Sequence, residues 1–227
     1  TFMTDIGKLL EAALSEEEIS EHRIDKWETL MFTYESALKE IATKIDILNN
    51  EFIKIHNYNP IEHIKSRLKT PESIVKKLKR GGHEVTIPNM IEHLSDIAGI
   101  RIICSFSPDI YRIAEMIARQ SDVTVLVVKD YIKNPKPNGY RSYHMIVEIP
   151  VFFSKGKTPM RVELQIRTNG MDFWATLEHQ LRYKKGIEDL PGYAEISEEL
   201  LRSAQAVIET DNEMQQIKNK IGMFHDI

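Results

Sequence analysis

Apolar residues recur alternately every four and three positions from Trp27 to Ile55: Trp27, Met31, Tyr34, Leu38, Ile41, Ile45, Leu48, Phe52 and Ile55. That spacing predicts one long amphipathic helix with a narrow apolar seam. A looser version, Ile196, Leu200, Ala204, Val207, Met214, Ile217, Ile221 and Phe224, predicts a second helix near the C-terminus. Each seam must be covered by the core, by the other helix or by a second subunit. Between them the pattern turns to mixed helix and strand. Thr70-Pro71 supplies an N-cap and a first-turn proline to a helix running to Gly81-Gly82. A short helix is expected from Pro88 to about Ser95, then a β-branched strand around Ile100 to Phe106. Ser107-Pro108 opens another helix. Further strands are expected at Val123 to Tyr131, Tyr143 to Ile149 and Met160 to Thr168, and a helix from Asn169 to Lys185 closes the core.

The richest of these strands is Val162-Glu163-Leu164-Gln165-Ile166-Arg167-Thr168. Its period-two alternation sends Val162, Leu164 and Ile166 to one face and Glu163, Gln165 and Arg167 to the other. A carboxylate, an amide and a guanidinium backed by three aliphatics describe the floor of a polar site. Lys133 to Gly139, with two prolines and Asn138-Gly139, reads as a loop able to cover such a floor.

Charge sharpens this picture. The net charge of −4 argues against a general nucleic-acid-binding surface. Yet seven basic residues and a single acid, Glu72, lie between Lys65 and Arg80. Ser73, Lys76, Lys77 and Arg80 recur there at helical spacing, and Arg67 and Lys69 precede the helix N-terminus, whose free amides favour phosphate. Taken alone, such a run is equally a solvated basic face. At 227 residues the chain makes one large or two small domains, and no apolar run approaches the roughly 18 residues needed to cross a bilayer. The lone Cys104 reads as a small core residue of a cytoplasmic protein.

Other segments supply what the floor lacks. Asp96, where the chain enters a strand through Gly99, is a turn former by itself; paired with Glu163 it makes a carboxylate set of the kind that holds Mg²⁺ together with phosphate oxygens. Arg101 follows on the strand, where its planar guanidinium can stack on a base. Tyr140, Ser142 and His144 share a strand face after the loop, with Tyr140 either a stacking platform or a buried cross-strand tyrosine. His144 reads as structural, and the remaining histidines show no metal-ligand spacing. On the closing helix Asp172, Ala175 and His179 share a face with Glu178 beside them, while Trp174, Leu177 and Leu181 are expected in the core. A Gly-x-x-x-x-Gly-Lys-Ser/Thr loop is absent, which argues against a P-loop kinase or GTPase.

In chain order, Arg67-Leu68-Lys69 with Ser73 and Lys77, Asp96-Ile97-Ala98-Gly99-Ile100-Arg101, Gly139-Tyr140-Arg141-Ser142-Tyr143-His144, Glu163-Leu164-Gln165-Ile166-Arg167-Thr168 and Phe173-Trp174-Ala175-Thr176-Leu177-Glu178-His179 resemble one family. It is the synthetase domain of RelA/SpoT homologues, the enzymes that make the stringent-response alarmones ppGpp and pppGpp. The resemblance covers about residues 40 to 185, and the short flanks are similar to the single-domain small alarmone synthetases of the RelP type.

The resemblance implies an α+β fold, a mixed sheet of about five strands related to the nucleotidyltransferases. It implies a single synthetase domain over 1–227, with helical extensions at 1–39 and 190–227 that serve oligomer contacts. The implied reaction is Mg²⁺-dependent transfer of pyrophosphate from ATP to the 3′-hydroxyl of GDP or GTP, releasing AMP. Arg67 and Arg101 would then sandwich adenine, and Lys69, Ser73, Lys77 and Arg80 would hold the ATP phosphates. Asp96 and Glu163 would bind the metal, with Glu163 drawing the proton from the attacking hydroxyl. Tyr140 would stack on guanine; Gln165, Asp172, Ala175 and Glu178 would line the acceptor side, with Arg141 and His144 nearby. Some relatives carry Asn where this chain has Asp172, so no preference between GDP and GTP follows. A homotetramer, a single-stranded RNA regulator and the absence of membrane attachment complete the implied profile. Two other readings stay open: a metal-dependent nucleotidyltransferase extending a nucleic acid, and an inactive regulator binding nucleotide or single-stranded RNA.

Overall fold

In the computed structural model the chain is described over residues 21–185 and 192–225. The parts of the expected helical extensions before residue 21, at 190–191 and after residue 225 lie outside the described residues. Helix α1 (Glu21–His56) carries the first seam and ends where Asn57 turns into the left-handed region at φ 51°. Strand β1 (Ile61–Leu68), helix α2 (Pro71–Arg80) and helix α3 (Ile87–His93) follow. Thr70 caps α2 as expected, its side chain accepting from the Ser73 amide. Next come β2 (Ala98–Cys104), α4 (Ser107–Ala118), β3 (Thr124–Asp130), β4 (Tyr143–Phe153), β5 (Gly156–Thr168), α5 (Asn169–Lys185) and α6 (Tyr193–His225).

The fold is α+β. One five-stranded sheet runs β1-β2-β5-β4-β3, and only the β2–β5 pair is parallel. Alternation splits this sheet into two faces. Ile100 and Ile102 of β2, Val162, Leu164 and Ile166 of β5, and Met145, Val147 and Ile149 of β4 are all buried. They share one core with Trp27, Tyr34, Leu38, Ile41 and Ile45 of α1 and with Ile110, Ile113 and Ile117 of α4. The first seam is therefore covered by the chain's own core as far as Leu48, which is partly buried against it, while Ile55 at its end stays exposed. On α6, Ala204 is buried, whereas Met214, Ile217 and Ile221 are exposed.

One strand goes beyond the sequence reading and one expectation needs correction. Strand β1 does not appear in the sequence pattern, because its apolar residues Ile61, Ile64 and Leu68 are spaced by three and four, as in a helix. An edge strand with a register shift between Ile61 and His63 does not need strict alternation. Leu177 and Leu181 are exposed rather than core. The inner face of α5 is Met171, Trp174, Ala175 and Glu178, which leaves Phe173, Leu177 and Leu181 as an outer stripe. Among the described residues, no helix is long and apolar enough to cross a membrane.

Candidate active site

The face of the sheet away from α1 and α4 collects polar side chains in two rows set by strand register. Arg67 of β1 pairs with Gly99 of β2, which pairs with Glu163 of β5. One step along, Lys65 pairs with Arg101, Arg101 with Gln165, Gln165 with His144 and His144 with Lys129. Residues far apart in sequence thus become neighbours because each strand alternates in phase with the next. Gly99 leaves a gap in the first row, between Arg67 and Glu163.

That gap belongs to a cavity of about 400 Å³ lined by Arg67, Asp96, Gly99, Arg101, Glu163 and Gln165 among others. Asp96 enters it from the turn before β2. One of its oxygens, Oδ2, accepts from Lys69 Nζ at 2.9 Å and Lys77 Nζ at 2.8 Å. The other, Oδ1, is buried without a hydrogen-bond partner. Burial alone raises the Asp96 pKa, but the two ammonium groups outweigh it and hold the carboxyl below its ordinary value. Glu163 behaves alike: burial raises its pKa, His144 and Gln165 draw it down, and the net shift is downward. Ser73 lies in the first turn of α2, where its hydroxyl accepts from Thr70 at 3.0 Å. Arg80 is exposed in the last turn of that helix.

Beside this cavity lies a second polar group centred on Arg167, whose guanidinium is almost wholly buried. It donates to Ser142 Oγ (3.2 Å), Asp172 Oδ1 (3.1 Å), Gln165 Oε1 (2.8 Å) and the Tyr140 hydroxyl oxygen. Because Arg has no acceptor, these bonds fix the direction of everything attached to it. The Gln165 amide must turn its oxygen to Arg167 and its nitrogen to Glu163, 2.8 Å away. Tyr140 must accept from Arg167, and its hydroxyl shares a second hydrogen bond with His144 Nε2 at 2.8 Å. On the other side of that ring, Nδ1 faces Glu163 Oε1 at 3.5 Å.

Asp172, on the first turn of α5, holds Arg101 and Arg167 with one oxygen, each at 3.1 Å. Burial and the charge of Arg167 lower the Arg101 pKa, with Asp172 opposing them. Farther along α5, Ala175 and Glu178 are buried, and Glu178 accepts from Asn138 of the loop at 3.0 Å. Arg141 does not join this network among the described residues; its Nε is buried without a partner, and burial lowers its pKa.

Sequence reasoning misses two members, Lys136 and Asn138, and the central place of a third, Arg167. Arg167 was legible as a residue on the right face of its strand but not as the hub of the network. Lys136 stands 4.8 Å from the Tyr140 ring centroid and 4.9 Å from that of Tyr131. Asn138 reaches Glu178, and also accepts from the Tyr140 amide through its own Oδ1 at 3.2 Å. All three belong to the 133–139 loop or the strand ending at Thr168, and the composition of those two stretches was the available signal.

Comparison with known proteins shows the family of this chain. The family described as "Region found in RelA / SpoT proteins" matches residues 66–188. The chain is 44% identical to GTP pyrophosphokinase YwaC of Bacillus subtilis, over 87% of this chain and 93% of that one. It is 36% identical to GTP pyrophosphokinase YjbM of the same organism, over 86% and 90%. Among solved structures, small alarmone synthetase 2 from B. subtilis aligns with a TM-score of 0.76 at 43% identity, covering 86% of this chain and 98% of that one. Small alarmone synthetase 1 from B. subtilis, bound to its product pppGpp, aligns with a TM-score of 0.79 at 34% identity, covering 87% and 99%.

Proposed function

The chain belongs to the RelA/SpoT family, and on that basis we propose that it is a GTP pyrophosphokinase, moving the β,γ-pyrophosphate of ATP onto the 3′-hydroxyl of GDP or GTP. The products are AMP and the alarmones ppGpp and pppGpp. The observation that carries this reading is the pair of adjoining polar sites on one sheet face, with Glu163 at their junction. One site has the cations and carboxylates suited to a triphosphate; the other has an aromatic ring and hydrogen-bonding groups suited to a purine nucleoside.

Arg67 and Arg101 take the adenine, and Lys69, Ser73, Lys77 and Arg80 form a cationic bed for the ATP phosphates. The residues present fit a Mg²⁺ ion: Asp96 keeps one buried oxygen unpartnered, Glu163 lines the same cavity, and two carboxylates with phosphate oxygens are a normal Mg²⁺ ligand set. When bound, Mg²⁺ neutralises charge on the transferred phosphates. Glu163, ionised and held by Gln165, accepts the proton of the 3′-hydroxyl. Tyr140 stacks on guanine while Gln165, Asp172, Ala175 and Glu178 border it, with His144 and Arg141 near the ribose and phosphates. Little bonding to protein develops in such a transfer, so alignment of the two nucleotides is the main contribution of the chain.

The same family reading carries a homotetramer and residence in the cytoplasm. Exposed Phe32 and Ile47 on α1 and Met214, Ile217 and Ile221 on α6 offer apolar surface for subunit contact.

Incubation with ATP, GDP or GTP and Mg²⁺ is expected to yield AMP and a 3′-pyrophosphorylated guanosine nucleotide in equal amounts by anion-exchange separation, and chelation of the metal should stop it. ADP as the nucleotide product, or turnover untouched by chelation, contradicts this assignment.

A further inference from the structure

Helix α6 touches the guanosine side of the site at several points, all within Leu200–Asp211. The first is the loop. Gly139 has φ 89°, and a Cβ built there would lie 2.6 Å from the Ala204 Cβ and 3.3 Å from Leu201 Cδ1. The turn that delivers Asn138 and Tyr140 therefore rests directly on α6, with no room for a side chain between them. The second is the start of α5. Thr168 Oγ1 accepts from the Met171 amide at 3.1 Å and so caps α5. The same hydroxyl donates its proton to Asp211 Oδ2. Next to it, a Cβ on Gly170 would lie 2.8 Å from both Asp211 Oδ1 and Val207 Cγ1. One turn on, Trp174 Nε1 donates to Ser203 Oγ at 2.9 Å. Trp174, Ala175 and Ala204 form a small apolar cluster apart from the main core, and Tyr140, Leu200 and Val207 pack on it.

These contacts join two pieces of the acceptor pocket that have different origins. The loop brings Asn138 and Tyr140; α5 brings Asp172, Ala175 and Glu178. The Asn138–Glu178 bond and the Arg167 fork connect them from the substrate side. Leu200–Asp211 holds them from behind. None of these contacts reaches β1 or α2, which carry Arg67 and Lys77.

We propose that Leu200–Asp211 is a positioning clamp for the guanosine pocket, with Ala204 setting the height of the Gly139 turn and Asp211 setting the first turn of α5. It fixes the acceptor nucleotide and leaves the ATP phosphate bed of β1 and α2 alone; its one link to the adenine side is the Asp172–Arg101 ion pair. This inference rests on the assignment of Tyr140, Asp172 and Glu178 to the guanosine.

The test uses the full chain with Ala204→Leu, which lifts the Gly139 turn, and Asp211→Ala, which releases Thr168. GDP and a non-transferable ATP analogue are titrated separately by calorimetry, and KM is measured for each substrate. Both variants should weaken GDP binding and raise the guanosine KM by about tenfold to a hundredfold; the ATP analogue should stay within about twofold of wild type in Ala204→Leu, and should lose far less than GDP in Asp211→Ala, where Asp172 also holds Arg101. Thr168→Ser, which keeps the capping hydroxyl, should retain wild-type values. If either large change prevents folding, Ala204→Val and Asp211→Asn carry the same comparison. Equal weakening of both nucleotides, or unchanged GDP binding in folded variants, overturns the clamp. A wild-type chain that binds no guanosine nucleotide overturns the functional reading instead, so the two failures are distinguishable.

Discussion

Glu163→Gln is expected to bind both nucleotides and to turn over at least about a thousandfold more slowly than wild type, within the range for loss of a positioned base together with its charge. The substitution keeps the shape of the side chain. Its backbone is fixed by pairing with Gly99 on one side and Ile146 on the other. Val162 and Leu164, wholly buried, anchor it from behind. An amide oxygen at 163 can still accept from Gln165 and preserve that contact. What it lacks is the capacity to take a proton and the negative charge facing the cavity it shares with Asp96. Steady-state kinetics alongside nucleotide titrations separate the two losses. Near-normal turnover in this variant removes Glu163 from the chemistry.

Arg167→Met is expected to cost about 3–5 kcal/mol of stability, the range for breaking a buried ionic contact by deleting one partner. Methionine fills the volume but donates nothing. The Tyr140 oxygen, Gln165 Oε1 and Ser142 Oγ each lose a donor, and Asp172 keeps only Arg101. Guanosine binding should collapse in the folded fraction, because the orientations of Tyr140, His144 and Gln165 all depend on that one guanidinium. Arg167→Lys should recover only part of the loss, since an ammonium cannot reproduce the planar fork. Chemical denaturation measures the first effect and calorimetric titration with GDP the second. A variant as stable as wild type with intact GDP binding contradicts the hub assignment.

Much of this architecture is legible in the order of amino acids alone. The alternation in Val162–Thr168, the Thr70-Pro71 cap and the bounds of α5 follow from local rules, because each depends on neighbours within a few residues. Strand β1 was hidden by its edge position, where one exposed flank and a register shift relax the demand for alternation. Leu177 and Leu181 misled for a related reason: a helix that buries the small Ala175 and the polar Glu178 gives its larger aliphatics to the outside. The role of Arg167 needed the third dimension. Its four partners come from positions 140, 142, 165 and 172, and only the register of β4 on β5 and the start of α5 bring them within reach. Neither Lys136 nor Asn138 has periodicity to announce it; the loop's prolines and Gly139 shape that segment, and α6 supports it.

Positional labelling of ATP distinguishes pyrophosphoryl transfer from nucleotidyl transfer at these two sites. With label at the β-phosphorus, the account predicts that it leaves with the guanosine nucleotide, while label at the α-phosphorus stays in AMP. Label from the α position entering the acceptor, with free pyrophosphate released, would contradict it and make the protein a nucleotidyltransferase.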